Sequence, residues 1–242
     1  MLRQASQGVL KRSPTGQQYR ISRAYARSHQ SEFILARLLN DLEKEFQNKK
    51  YSQQAFHIAE RSKSQALIEL LRERDIESTK GIGTIDLQVL LERLAQDNIF
   101  ILEYYFSENI VYLWCLGGKE RTFIMTTLKE NGTELASNII SERVLELRSA
   151  ISNIEYPIEG IHIMARTLCK VLIPPSIRKT LDSGHHIAII PHNVLHLLPF
   201  QVLIYDKGYL LDSFNLSYYA PSTNLFIHTL NNERVESHFV IS

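Results

Sequence analysis

Residues 185–225 read HHIAIIPHNVLHLLPFQVLIYDKGYLLDSFNLSYYAPSTNL, and the fold turns on how this stretch is read. It opens with Ile187-Ala188-Ile189-Ile190, closed by Pro191. A short isoleucine-rich run stopped by proline predicts a buried strand and not a helix. His192-Asn193 turns the chain, and Leu195, Leu197, Leu198 and Phe200 are expected to pack around Pro199. Asp206-Lys207-Gly208 predicts a second turn, with Gly208 free to take the positive φ such turns often need. Tyr209 to Leu211 and Phe214 to Tyr219 are expected as short strands. Ala220-Pro221-Ser222 then leads into a helical segment, Thr223 to Leu230.

The order strand, IIP-x-x-x-L-x-x-LPF, x-x-L, turn, YLL, strand, Y-x-APS resembles the first half of a CHAT domain. This is the caspase-like domain found with tetratricopeptide repeats and related to caspases and separases. The matching residues are Pro191, Leu195, Pro199, Phe200, Leu203, Tyr209, Leu210, Leu211, Tyr219, Pro221 and Ser222. The resemblance implies an α/β fold, a caspase-like three-layer sandwich, and in complete members a Cys–His peptidase.

Composition bounds the rest. A chain of 242 residues, 44% hydrophobic and 22% charged, is long enough to bury a sizeable core in one or two domains. A formal net charge of +1 gives no overall steer towards nucleic acid. Two cysteines, Cys115 and Cys169, in apolar surroundings argue against a disulfide framework and for a reducing, cytoplasmic setting. No apolar run approaches the roughly 18 residues of a membrane span.

Residues 1–30 are basic (Arg3, Lys11, Arg12, Arg20, Arg23, Arg27) and lack apolar periodicity. They are expected to form a poorly ordered or fraying helical lead-in; the composition also suits a transit peptide. Residues 31–80 predict a helical hairpin. Phe33, Leu35, Leu38, Leu39, Leu42 and Phe46 form one apolar face, and Asn48-Lys49-Lys50 breaks the run. The second helix carries Ala55, Ile58, Ala59, Ala66, Leu67, Leu70 and Leu71 on its apolar side, with Glu60, Arg61, Lys63, Glu69, Arg72, Glu73 and Arg74 on the wet side. This pair resembles the tetratricopeptide-like hairpin that precedes CHAT domains. A single hairpin cannot bury both faces, so either further helices stack on it or it packs directly on the α/β part.

Gly81 and Gly83 mark a linker, and residues 85–242 are expected to form the CHAT-like domain. Within it the pattern predicts a helix at Ile85–Leu94 and a hairpin of Ile99–Phe106 with Ile110–Leu116. Gly117-Gly118 turns into a third strand, Thr122–Thr126, and two helices follow, Leu135–Ile151 and Pro157–Ile173, the second stopped by Pro174-Pro175. Trp114 and Tyr112 are expected in the core. A last strand is expected from His238.

The candidate chemistry is sparse. In the family pattern the catalytic His-Gly pair and Cys lie downstream of the APS segment, and neither occurs after Tyr219. Catalytic residues are therefore expected to be absent. Cys115 and Cys169 read as small core residues. His162 and Cys169 are about two turns apart on one helix, too far for a dyad. His185, His186, His192 and His196 lack a neighbouring acid or cysteine at zinc spacing, and His185-His186 is a candidate pH-sensitive surface pair. The glycines form no phosphate-binding loop, so no cofactor is expected. No nucleophile elbow surrounds Ser222.

The expected function is the N-terminal part of a CHAT-domain protein, non-catalytic as it stands and acting by protein–protein interaction or regulation. Other proteins or peptides would dock on the helical segment and an open sheet edge, an edge that also predicts oligomerisation. The alternative is a fragment of a complete caspase/separase-like cysteine peptidase. A third option is a structural repeat adaptor.

Overall fold

The computed structural model of the protein describes residues 49–73, 86–107, 109–181 and 184–218. The expected helix at residues 33–46, the linker around Gly81 and the segment from Tyr219 onwards, with Pro221 and Ser222, lie outside the described residues.

The architecture is mixed α/β, built on a five-stranded sheet. Helix α1 is Lys49–Glu73 and α2 is Leu87–Asp97. Strands β1 (Ile99–Phe106), β2 (Val111–Gly117) and β3 (Thr122–Thr127) form an antiparallel meander. A small ribbon, β4 (Lys129–Glu130) with β5 (Thr133–Glu134), precedes helices α3 (Ser137–Ser152), α4 (Ile158–Leu172) and the short α5 (Pro175–Arg178). Strand β6 (His186–Ile190) then pairs parallel to β1. After two 3-10 turns, Asn193–Leu197 and Phe200–Val202, come β7 (Ile204–Tyr205), β8 (Gly208–Tyr209), α6 (Leu210–Ser213) and β9 (Asn215–Tyr218). Strand β9 pairs parallel to β6, and the sheet order is β3-β2-β1-β6-β9.

Helices cover both faces of the sheet. On one, Leu102, Tyr104, Leu113, Cys115, Ile187 and Ile189 pack with Val144, Leu147, Ala165 and Leu168 of α3 and α4. On the other, Ile101, Tyr105, Trp114, Leu116, Ala188 and Ile190 pack with Ala55, Phe56 and Ala59 of α1 and Leu90 and Leu94 of α2. Phe56 meets Trp114 and Phe123 edge-on, at ring-centroid separations of 5.9 and 6.1 Å. Of the two arrangements open for the second predicted helix, the one in which it packs directly on the α/β part is present. The small residues Ala55 and Ala59 allow that close approach.

Local chemistry fixes the joints. Asp86 caps α2, its Oδ1 accepting from the N–H groups of Gln88 and Val89 at 2.8 and 3.2 Å. The β2–β3 turn uses Gly117 and Gly118 at φ +109° and +68°. A Cβ at Gly117 would stand 2.2 Å from the Ile99 carbonyl oxygen, so both conformation and space require glycine there.

Four expectations are corrected. Lys49 and Lys50 are helical, not a break. Glu60 and Lys63, assigned to the wet side of α1, are 2% and 4% exposed. The stretch Tyr209 to Leu211 is not a strand: pairing ends at Tyr209, and Leu210–Ser213 is a helical turn with a capping box between Tyr209 and Asp212. In the 206–208 turn, the positive φ of +50° belongs to Asp206 and not to Gly208. Aspartate tolerates that region better than most residues.

The buried charge of α1 has a partner. Lys63 Nζ donates to Glu103 Oε1 at 2.6 Å and to the Tyr104 carbonyl oxygen at 3.1 Å, with the ion pair's side chains 2% and 0% exposed. Such a pair resists the loss of one member far more than the replacement of both. Lys63→Met or Glu103→Leu alone should therefore cost about 3–5 kcal/mol. The double variant should recover most of that loss in urea unfolding. Equal losses for single and double variants would deny the coupling.

Candidate functional site

Strands β1, β6 and β9 run parallel, so Phe106, Ile190 and Tyr218 bring their carboxyl ends to one edge of the sheet. In open α/β sheets ligands settle in the crevice outside the carboxyl ends of the strands. The PHNVLHLLPF segment leaves β6 into this region, so its local structure builds the edge.

Pro191 is buried where β6 stops. His192 Nδ1 accepts the Phe106 N–H at 3.0 Å, and its ring stacks on Tyr105 at 4.9 Å. Nδ1 is thereby the unprotonated nitrogen of a neutral ring. Asn193 takes φ +55° to start the first 3-10 turn. Leu195, Leu198 and Phe200 are buried and Pro199 half-buried, as expected, but Leu197, expected in the same packing, is 41% exposed and faces outward from the 3-10 turn. The ring of Phe200 lies between Tyr104 at 5.7 Å and Tyr218 at 6.1 Å. The Tyr104 hydroxyl donates to the Leu172 carbonyl at 2.9 Å, tying β1 to the end of α4.

Beside this segment opens a cleft of about 430 Å3, lined by Arg148, His196, Leu197, Pro199, Gln201 and Tyr218 among others. Arg148 Nη1 donates to the Leu197 carbonyl at 3.3 Å. The Tyr218 hydroxyl donates to Gln201 Oε1 at 2.6 Å. Burial pushes the Tyr218 phenol up to about 12, against the lowering effect of the Phe200 and Gln201 backbone N–H groups, so it keeps its proton.

Leu210 is buried, whereas Tyr209 and Leu211 are exposed. Tyr209 Oη lies 3.0 Å from His162 Nε2. His162 thus pairs with a tyrosine and not with Cys169, whose Sγ accepts from Arg178 Nη2 at 3.3 Å. Burial raises the Cys169 thiol to about 11 despite that guanidinium, and raises Cys115 to about 12. Both cysteines behave as small buried hydrophobes. His185 and His186 are half-buried and not a surface pair: His186 Nε2 lies 2.7 Å from Ser217 Oγ, and the His185 ring lies 5.0 Å from Phe100. Among the described residues no cluster of His, Cys, Asp and Glu could hold a metal ion, and no helix is long and apolar enough to cross a membrane.

Sequence reasoning missed Lys63, Glu103, Arg148, Gln201 and Tyr218. Glu103 carried a signal: it is the one charge in the apolar run Ile99–Phe106. Arg148, on an amphipathic helix with ordinary surface composition, carried none.

A family model for the CHAT domain matches residues 162–241, a span that holds most of α4, the 3-10 turns and β9. This is the family that residues 185–225 resemble; the α1 region lies outside the match. No curated protein matches the chain.

Burial holds His57, His186 and His196 below the ordinary histidine value, opposed by Asp86 at His57 and reinforced by Lys63 at His196. The folded state therefore favours neutral rings, while the unfolded chain takes up protons near pH 6.5. Stability should be fully present above about pH 6.5 and fall as the pH drops below it. His186→Gln, which retains a side-chain amide for Ser217, should flatten that slope in urea unfolding between about pH 5 and 7.5. An unchanged slope would remove His186 from the balance.

Proposed function

We propose that this chain acts as a non-catalytic, caspase-like CHAT module that works through protein–protein interaction or regulation. The observation that carries this reading is the state of its thiols. The sequence holds two cysteines, both are buried, both are displaced upwards in pKa, and the side chain that hydrogen-bonds to Cys169 is Arg178 and not a histidine base. A peptidase of the cysteine class needs an accessible thiolate beside a base. The helices on both faces of a mixed sheet support the caspase-like architecture. The donor-lined cleft at the carboxyl edge supports a role in holding another molecule. The reading assigns neither thiol a chemical step.

Thiol labelling tests it. A thiol raised from 9.0 to about 11 holds about a hundredfold less thiolate at neutral pH. The native protein should therefore react with iodoacetamide at least about a hundredfold more slowly than free cysteine, with burial slowing it further. Full labelling should appear only in denaturant. Rapid labelling of native Cys115 or Cys169 by a peptidyl electrophile would overturn the reading and point to a cysteine peptidase.

A further inference from the structure

The turn between α3 and α4 reads ISNIEYPIE over residues 151–159, and it places large apolar side chains in water. Every residue from Ile151 to Glu159 is exposed, Ile154 fully. Ile158 and, further along α4, Ile163 are more than half exposed, and Tyr156 is exposed as well. Single surface hydrophobes are ordinary. A cluster of them within one turn has no burial to stabilise it and marks a surface that another molecule covers.

The backbone of the turn is fixed. The Asn153 N–H donates to the Ala150 carbonyl at 3.2 Å and closes α3. Asn153 Oδ1 accepts the Glu155 N–H at 3.0 Å, and the Asn153 carbonyl accepts the Tyr156 N–H at 3.0 Å. Pro157 opens α4, its carbonyl accepting from Gly160 and Ile161 at 3.0 and 3.2 Å. A Cβ at Gly160 would stand 2.8 Å from the Tyr156 ring, so glycine lets that ring lie against the helix. Apolar side chains on such a backbone have little main-chain freedom left to lose on binding.

Charge selects the occupant. From Ser149 to Ala165 the only residues among Asp, Glu, Lys and Arg are Glu155 and Glu159. Neither forms an ion pair with a described residue. Helix α3 adds exposed Glu142 and Glu146, while its Arg143 is taken by Glu130 at 2.9 and 2.8 Å. An apolar patch with an acidic rim complements an apolar stripe flanked by Lys or Arg, and repels an anionic lipid surface. The patch consists of a turn and two helices, with no strand to pair against. Its partner must therefore satisfy its own backbone hydrogen bonds, as a helix does. We propose that the α3–α4 turn docks a basic amphipathic helix of a partner protein. This deepens the interaction reading above and rests on it.

The test uses the full chain and fluorescein-labelled peptides of leucine and lysine, read by anisotropy. One carries its leucines at helical spacing, one is its scramble, and one has glutamate for every lysine. The helical basic peptide should bind, and the other two should bind at least about tenfold more weakly. Ile154→Ser should weaken the basic peptide by about tenfold or more, the loss of one buried isoleucine. Fully exposed Ile154 contributes no packing, so this variant should unfold like the parent. Glu155→Gln combined with Glu159→Gln should weaken binding and flatten its dependence on salt. Val89→Ser, exposed on α2 across the sheet, should leave binding unchanged. Indifference to Ile154→Ser, or equal binding of the acidic peptide, overturns the proposal. Co-sedimentation with phosphatidylcholine vesicles by the parent and not by Ile154→Ser would make the occupant a lipid surface and overturn it. A dimer in sedimentation equilibrium that Ile154→Ser abolishes would make the occupant a second copy of this chain and overturn it likewise. Inert thiols without peptide binding would fail the docking site alone, whereas reactive thiols with peptide binding would fail the non-catalytic reading alone.

Discussion

Everything in this fold depends on β1 being buried on both faces. All eight of its residues, Ile99 to Phe106, are buried, and β2 and β6 flank it on either edge. A strand in that position needs an apolar layer above and below, and the sequence answers with α3 and α4 on one side and α1 and α2 on the other. Into that strand the sequence places Glu103, fully buried. An ionised carboxylate in such a place is tolerated only when paired and hydrogen-bonded. Lys63 provides the pair from α1, forty residues earlier, so the position of α1 is chemically tied to the central strand.

The tie continues to the carboxyl edge. Lys63 Nζ lies 5.9 Å from the centre of the Tyr105 ring, Tyr105 stacks on His192, and His192 accepts from the Phe106 backbone. The same cation helps hold His196 below its ordinary pKa. One buried ammonium thus acts on the helix layer, the central strand and the segment that leaves β6. This accounts for an α1 that is well packed although its sequence looks like one of a series of solvent-facing repeats.

Periodicity made the sheet legible. The runs around Ile101, Leu113 and Ile189 are apolar, short and punctuated by glycine or proline, which leaves few alternatives to buried strands. The family resemblance reached Leu195, Pro199 and Phe200 for the same reason: packing around a proline repeats with the motif. What failed was polar. Glu60 and Lys63 sit at helical spacing on what looks like a charged face, and only tertiary contact reveals that this face is covered. At Tyr209-Leu210-Leu211 the β propensity of the residues suggested a strand, and the capping box with Asp212 turned the chain into a helical turn. At Asp206 the left-handed residue precedes the glycine that was expected to supply it. Arg148 and Gln201 line one cleft from distant positions in the chain and share no local pattern.

The same packing decides which surfaces are already committed within the fold. The small and aromatic residues of α1, Ala55, Phe56 and Ala59, are committed to Trp114 and its neighbours, so the surface that a repeat hairpin would offer to another helix is already filled from within. Sheet faces are likewise covered. The thiols are sealed in the core, where burial disfavours their charged forms. At the carboxyl edge stand polar side chains: Arg148, which donates to the Leu197 carbonyl, Gln201, which accepts from the Tyr218 hydroxyl, and His196. A fold that commits the apolar residues of its helices to its own sheet leaves polar side chains where its parallel strands end.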